Sequence, residues 1–282
     1  MIKSILVCLE GSASSKAATE TAIEIARECR ASVVGLAIID EPDICAGTPT
    51  GAWGSSFKHE RDKHLLSDAR AHAADWLDQF ERCRQAAEVP GRALEIIGRP
   101  AESIIGEMGL HDLTVMGRDA NFRFLTESKD LATREKILRH ASHPVLLVPE
   151  SNPALPASLS QTVLVAYDGS DSSKRALTSF AQSGLARSRE IHVATVGEDG
   201  EKAWDVAMKA VERLRGFGID ALTENIVSPL STSEALVEFG REIGAGLIVM
   251  GAFAHSRFTE MLHGSGTRSI INRSTAAICL QH

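Results

Sequence analysis

Along the first 150 residues, short apolar runs alternate with stretches whose apolar positions recur every three to four residues. "SILVCL", "SVVGLAII", "RALEII", "DLTVMG" and "PVLLVP" are brief and rich in β-branched residues, and read as strands. "SSKAATETAIEIARECR", "SDARAHAADWLDQFERCRQAA" and "PAESIIGEMG" carry the helical period between them. The later residues repeat the scheme with "TVLVAY", "IHVATV", "ALTENIV", "GLIVMG" and "AAICL", again separated by helices. Strands that alternate with helices predict an α/β chain with a parallel, doubly wound sheet.

The repetition extends to residue identities. "ILVCLEGSASSKAA" (5–18) lies over "VLVAYDGSDSSKRA" (163–176), identical at Leu6/Leu164, Val7/Val165, Gly11/Gly169, Ser12/Ser170, Ser14/Ser172, Ser15/Ser173, Lys16/Lys174 and Ala18/Ala176. A second block, 113–133 over 247–267, matches at Leu113/Leu247, Val115/Val249, Met116/Met250, Gly117/Gly251, Ala120/Ala254, Arg123/Arg257 and Phe124/Phe258. Two blocks in one order mean a duplicated domain. Between the copies, "PESNPALPASLSQ" has the prolines and small polar residues of a linker. The expected domains are 1–150 and 160–282.

Composition narrows the function. The 282 residues are 44% hydrophobic and 24% charged, the balance of a globular protein with a substantial core. A net charge of -7 argues against a nucleic-acid partner, whose phosphates need a basic face. Five scattered cysteines form no C-x-x-C pair, which points away from a disulfide framework or zinc ribbon and towards a reducing compartment. The N-terminus turns polar after a few apolar residues, and no run approaches a membrane span, so the expected location is the cytoplasm.

In doubly wound sheets ligands bind beyond the carboxyl ends of the strands, where strand order reverses. After the first strand of the second copy come Asp168, Gly169 and Ser170. The carboxylate can accept from an amino or hydroxyl group, or else serve as a helix cap; Ser170 reads as a cap. After the fourth strand come Gly251, Ala254 and then Gly264-Ser265-Gly266-Thr267 opening the last helix. Glycine backbone at a helix N-terminus suits a phosphate, and the Ser265 and Thr267 hydroxyls add donors. The Walker pattern is absent, and "GSGTRS" lies too far from its strand, and lacks the third glycine, for a dinucleotide fingerprint.

"YDGS" after the first strand and "VMGAFA…HGSGT" after the fourth resemble the universal stress protein family in its tandem, two-domain form. The family's nucleotide-binding pattern, glycine, two residues, glycine, nine residues, then Gly-[Ser/Thr], falls on Gly251, Ala254, Gly264 and Ser265, with alanine at the second glycine. The resemblance implies two tandem five-stranded Rossmann-like sheets of order 3-2-1-4-5, paired through their last strands as an intramolecular pseudo-dimer, with a further homodimer left open. It implies an adenine-nucleotide ligand, ATP with or without Mg, in the second domain. Asp168 would hold the adenosine, Met250 and Gly251 would line base or ribose, and Thr195 or Val196 would touch the base. Gly264, Ser265 and Gly266, with Thr267, would take the phosphates. Ala254 puts a methyl where the family's glycine permits close approach or positive φ.

In the first copy Asp168 becomes Glu10, and Gly264-Ser265 becomes Asp130-Leu131, or Leu131-Ala132 with a one-residue slip. Either register removes the glycine and the hydroxyl, so the first domain is expected to keep the fold and lose the site. Its "PVLLVP" has the composition of an edge strand, with "AAICL" as natural partner.

Other features read more plainly. His140 and His143, or His59 and His64, are spaced like metal ligands but lack carboxylate or cysteine partners, and His255 and His263 flank the phosphate loop. "GSASSK" and "GSDSSK" lack a nucleophile elbow and read as helix starts. Residues 44–61, Gly/Ser/Thr-rich and absent from the second copy, read as a loop over the vacated first site, with Trp53 as its plug. The leading expectation is an ATP-binding stress-response and signalling module, with ATP hydrolysis at most slow because no group is placed to orient a water. The alternatives are an interaction scaffold that binds no nucleotide and an ATP pyrophosphatase or nucleotidyl-transferase-like enzyme.

Overall fold

The computed structural model describes residues 1–46, 54–122, 131–150, 161–251 and 265–281, and the side chains of all these except 54–56, 131–132 and 265–268. The first half runs β1 (Ser4–Leu9), α1 (Ala13–Cys29), β2 (Ser32–Ile39), α2 (Glu41–Ile44), α3 (Gly54–Ala86), β3 (Gly91–Ile97), α4 (Pro100–Met108), β4 (Leu113–Gly117), α5 (Leu131–His140) and β5 (Val145–Val148). The second runs β6 (Thr162–Ala166), α6 (Asp171–Ser183), β7 (Glu190–Val196), α7 (Gly200–Arg215), β8 (Leu222–Ile226), α8 (Thr232–Glu242), β9 (Leu247–Gly251), α9 (Ser265–Arg273) and β10 (Ala277–Gln281).

The strands form one ten-stranded sheet in the order β3-β2-β1-β4-β5-β10-β9-β6-β7-β8. Each half has the local order 3-2-1-4-5, and all pairs within a half are parallel. The halves join where β5 meets β10 antiparallel, Leu147 opposite Ile278 and Val145 opposite Leu280. The two expected five-stranded sheets thus share their last edges, which removes two exposed rows of backbone donors and acceptors.

Strand alternation divides the core between the two faces. Ile5, Val7 and Leu9 pack on one side with α1 and α3 residues such as Ala22 and Phe80; Leu6 and Cys8 pack on the other with Ile104 and Ile137 of α4 and α5. The second half repeats this, Val163 and Val165 facing Leu177 and Leu214, and Leu164 facing Leu236 and Ile270. Covering both faces is what lets the central strands bury apolar side chains on both sides.

Across the seam, Ile2 N donates to Ser183 O at 2.9 Å. Arg189 Nη2 donates to both Glu28 carboxylate oxygens at 2.9 Å.

The halves differ most at α3, 33 residues against 16 in α7. Residues 54–61, expected as loop, are its first turns, while residues 47–53, Trp53 among them, lie outside the described residues. The low-propensity Gly/Ser/Thr run ends at Ser56, and "FKHERDKHLL" then forms helix, aided by Lys58 Nζ on Asp62 Oδ2 at 2.5 Å, one turn apart.

Candidate functional site

The carboxyl end of β6, flanked by β7 and β9, is where strand order reverses in the second half. The chain leaves β6 through Tyr167 and Asp168, turns at Gly169 (φ +77°), and enters α6 at Ser170. Ser170 is the cap: its Oγ accepts from Ser173 N at 3.2 Å. Asp168 has a different task, its Oδ1 accepting from Ser170 N at 2.9 Å in a turn two residues long. The glycine is required by the left-handed φ, but space is ample, since a Cβ would meet only Val206 Cγ1 at 3.6 Å.

Met250 and Gly251 end β9 beside this turn. Met250 is buried and pairs with Ala166 of β6 and Leu280 of β10. A Cβ on Gly251 would stand 2.7 Å from the carbonyl carbon of Ser172 and 2.7 Å from Ser173 N. The first turn of α6 therefore rests directly on the end of β9, and glycine is needed there for packing. The same holds at Gly117, where a Cβ would lie 2.8 Å from the Ser14 carbonyl carbon, so close approach is the reason for glycine there too.

Thr195 lies at the end of β7, buried, and donates from Oγ1 to Tyr167 O at 2.7 Å. Its hydroxyl holds the exit of β6 in place. Val196 follows it as the last residue of that strand. Ser265, Gly266 and Thr267 form the first turn of α9, whose N-terminal partial charge favours an anion. Ala254, Gly264, His255 and His263 lie outside the described residues. The structure thus brings Asp168, Gly169, Ser170, Thr195, Met250 and Gly251 to one end of the sheet.

For Ala254, the first copy supplies a comparison. Ala120 stands at the matching position, its N donating to Gly117 O at 3.2 Å, and its φ is not positive. An alanine is therefore compatible with that turn without left-handed strain.

The corresponding crevice of the first half is built differently. Glu10 is one methylene longer than Asp168 and spans the gap between the loops after β1 and β4. Ser12 Oγ donates to its Oε1, and Asn121 N donates to Oε2 at 3.3 Å. Burial pushes its carboxyl above the usual carboxylate value, with Ser12 and Asn121 pulling back and Asp119 adding to the rise. Gly11 (φ +80°) has no free space, because the Trp76 indole of α3 lies against it where a Cβ would point. Trp76 thus fills the space beside Gly11, a role hidden in the sequence because Trp76 falls in an ordinary helical pattern; the plug expected of Trp53 lies outside the described residues.

Sheet register also decides how the copies align past β4. Thr114 pairs with Val145 and Ile248 with Ile278, so residues after the loop are offset by one relative to those before it. The buried trio Ile137, Leu138 and Ala141 matches Ile270, Ile271 and Ser274 with the same offset. Leu131-Ala132 is then the counterpart of Gly264-Ser265, and Arg134 that of Thr267. Arg134 is buried, with Nη1 donating to Arg118 O at 2.5 Å.

Of the histidines considered for metal, His140 has Nδ1 2.8 Å from Lys136 O, and His143 has Nδ1 2.9 Å from Ser142 Oγ. Among the described residues no three potential ligands gather around a metal position, and no helix is long and apolar enough to cross a membrane.

A sequence model described as the universal stress protein family matches residues 1–149. A universal stress protein of Synechocystis sp. is 26% identical over 172 residues, 60% of this chain. The match spans 58% of that relative's length. Among solved structures, a universal stress protein from Archaeoglobus fulgidus DSM 4304 superposes with a TM-score of 0.73 at 21% identity, covering 99% of this chain and 95% of the other. A functionally unknown protein from Pseudomonas aeruginosa PAO1 gives 0.59 at 13% identity, covering 99% and 92%. At those identities the structural likeness speaks for the fold.

Proposed function

The chain belongs to the universal stress protein family, and on that premise we propose that it is an adenine-nucleotide-binding stress-response module with one working site, in residues 160–282. Residues 1–150 keep the fold and supply a half whose own side chains occupy its crevice. ATP is the proposed ligand. Asp168 would accept from the adenosine moiety, Met250 and Gly251 would line the base or ribose, and Thr195 would hold the turn beside them. Gly264, Ser265, Gly266 and Thr267 would take the phosphates at the start of α9, with a Mg ion entering on the phosphates and not on a protein cage.

The observation that carries this reading is the contrast between the two crevices. In the first, Glu10 reaches the Asn121 N–H across the gap and Trp76 lies on Gly11. In the second, Asp168 accepts from Ser170 N, and no aromatic ring stands on Gly169, where a Cβ would meet only Val206 Cγ1 at 3.6 Å. The arrangement supplies hydrogen-bond acceptors, a helix N-terminus and an apolar floor, which are means of binding rather than of bond cleavage.

The test is to denature freshly purified protein and identify any released nucleotide by chromatography and mass, beside a Gly264→Leu, Ser265→Ala variant that copies the first half. Adenine nucleotide from the wild type and none from the variant is the expected result. ATP at about a hundred times its Kd should also stabilise the wild type by about 2.7 kcal/mol, a rise of several degrees in Tm. No released nucleotide and no Tm response to ATP would refute the reading and leave an interaction scaffold.

A further inference from the structure

The antiparallel β5–β10 junction has a consequence for α9. Because β10 runs opposite to β5, the C-terminal end of α9 comes to lie beside the carboxyl ends of β4 and β5, at the crevice of the first half. The N-terminal end of α9 starts the proposed phosphate loop of the second half. A nine-residue helix, about 14 Å long, thus runs from one half's crevice towards the other's.

Arg118, the residue after β4, grips that helix at its near end. Its backbone N donates to Val148 O at 2.7 Å, fixing it to the end of β5. Its Nη1 donates to Ser274 O at 2.6 Å, across the seam. Ser274 is buried and closes the last turn of α9, its N donating to Ile270 O at 2.9 Å. A guanidinium on a carbonyl just past a helix C-terminus both supplies a donor and opposes the negative end of the helix dipole. Arg118 is itself held, since Arg134 Nη1 donates to its carbonyl at 2.5 Å and Asp119 Oδ2 lies 3.5 Å from its Nε. The second half has alanine, Ala252, at the matching position, so that position offers no guanidinium in return.

We propose that Arg118 is a positioning residue for the nucleotide site of the other half: it fixes α9 from its C-terminal end and so sets where the phosphate-binding turn at its N-terminal end stands. The role rests on the nucleotide reading given above. It assigns the first half a part in the second half's affinity, even with its own crevice closed.

Arg118→Met removes the donor while keeping the apolar stem, and Arg118→Lys keeps a cation with a single point of attachment. In Arg118→Met, amide exchange in the 265–274 segment without ligand should accelerate about tenfold, as a charged hydrogen bond to the helix end is lost, while the 163–176 segment keeps its rate. ATP affinity should fall by about fivefold or more, the size of an ordinary coupling between sites, whereas adenosine affinity changes less than twofold. Arg118→Lys should recover part of both effects. Wild-type exchange in α9 of Arg118→Met, or equal losses for ATP and adenosine accompanied by a general fall in Tm, would overturn the proposal. If the wild type takes up neither ligand, the nucleotide reading fails and the positioning role falls with it, whatever the exchange rates.

Discussion

Replacing Gly251 by alanine adds one methyl at the point where α6 rests on β9. That Cβ would stand 2.7 Å from the Ser172 carbonyl carbon, from Ser172 Oγ and from Ser173 N. Unstrained carbon contacts begin near 3.5 Å, so the backbone of α6 must retreat by about 0.8 Å; only the Ser172 hydroxyl can rotate away. The helix resists, because Ser170 caps it and Leu177 and Phe180 are buried against the sheet. Overpacking of this kind costs about 1–3 kcal/mol. For a chain of this size that lowers Tm by about 3–10 °C. Gly117→Ala should cost a similar amount, since Ser14 and Ser15 stand equally close. The control is Gly106→Ala in α4, where a Cβ meets nothing within 4 Å and the helix should gain about 0.5–1 kcal/mol. Urea midpoints and thermal melts followed by circular dichroism separate the three. If Gly251→Ala unfolds with the wild type, or loses no more than Gly106→Ala, the packing account of this glycine is wrong; if Gly117→Ala alone is unaffected, the account fails for Gly117.

The raised carboxyl of Glu10 makes a pH-dependent prediction. Stability tied to its protonated form is complete below the ordinary carboxylate value and is lost as pH rises through the raised folded value. Glu10→Gln, which can still accept from Asn121 N and donate to Ser12 Oγ, should match the wild type below about pH 4 and exceed it at pH 7 in urea midpoint; a variant less stable at pH 7 would show that the charge is needed. Trp76→Ala should cost about 2 kcal/mol from lost apolar contact and leave the first half unable to take up nucleotide, because Glu10 still spans its crevice; nucleotide stoichiometry above one would count against this. Among the thiols, Cys83 is exposed while Cys8 and Cys279 are buried, with burial pushing Cys279 up to about 12. Iodoacetamide at pH 8 should label Cys83 first and reach Cys8 and Cys279 only on unfolding, as mass mapping of the alkylated peptides would report; early labelling of Cys279 would contradict its burial.

The apolar runs and helical periods, properties of a few neighbouring residues, were enough to place each strand among the described residues and to point to one unit occurring twice. The proline-bracketed "PVLLVP" also announced an edge in need of a partner, and β10 covers it. Ser12 and Ser170 were readable as caps because a cap bonds only three residues ahead. What the sequence could not decide depends on residues far apart along the chain. Two registers were open for Leu131 and Ala132, and only the pairing of β5 with β4 chose between them. Glu10 aligned with Asp168 in the sequence, but its bond to Asn121 N, in the loop after β4 and 111 residues away, appears only in the fold. Trp76 stands on Gly11 only because α3 packs over the exit of β1, and Arg118 meets Ser274, 156 residues later, only because the last strands run antiparallel. Periodicity and capping act within a turn or two, so a sequence displays them directly; the contacts that close one crevice and clamp α9 exist only once crossovers and strand order have brought distant loops together.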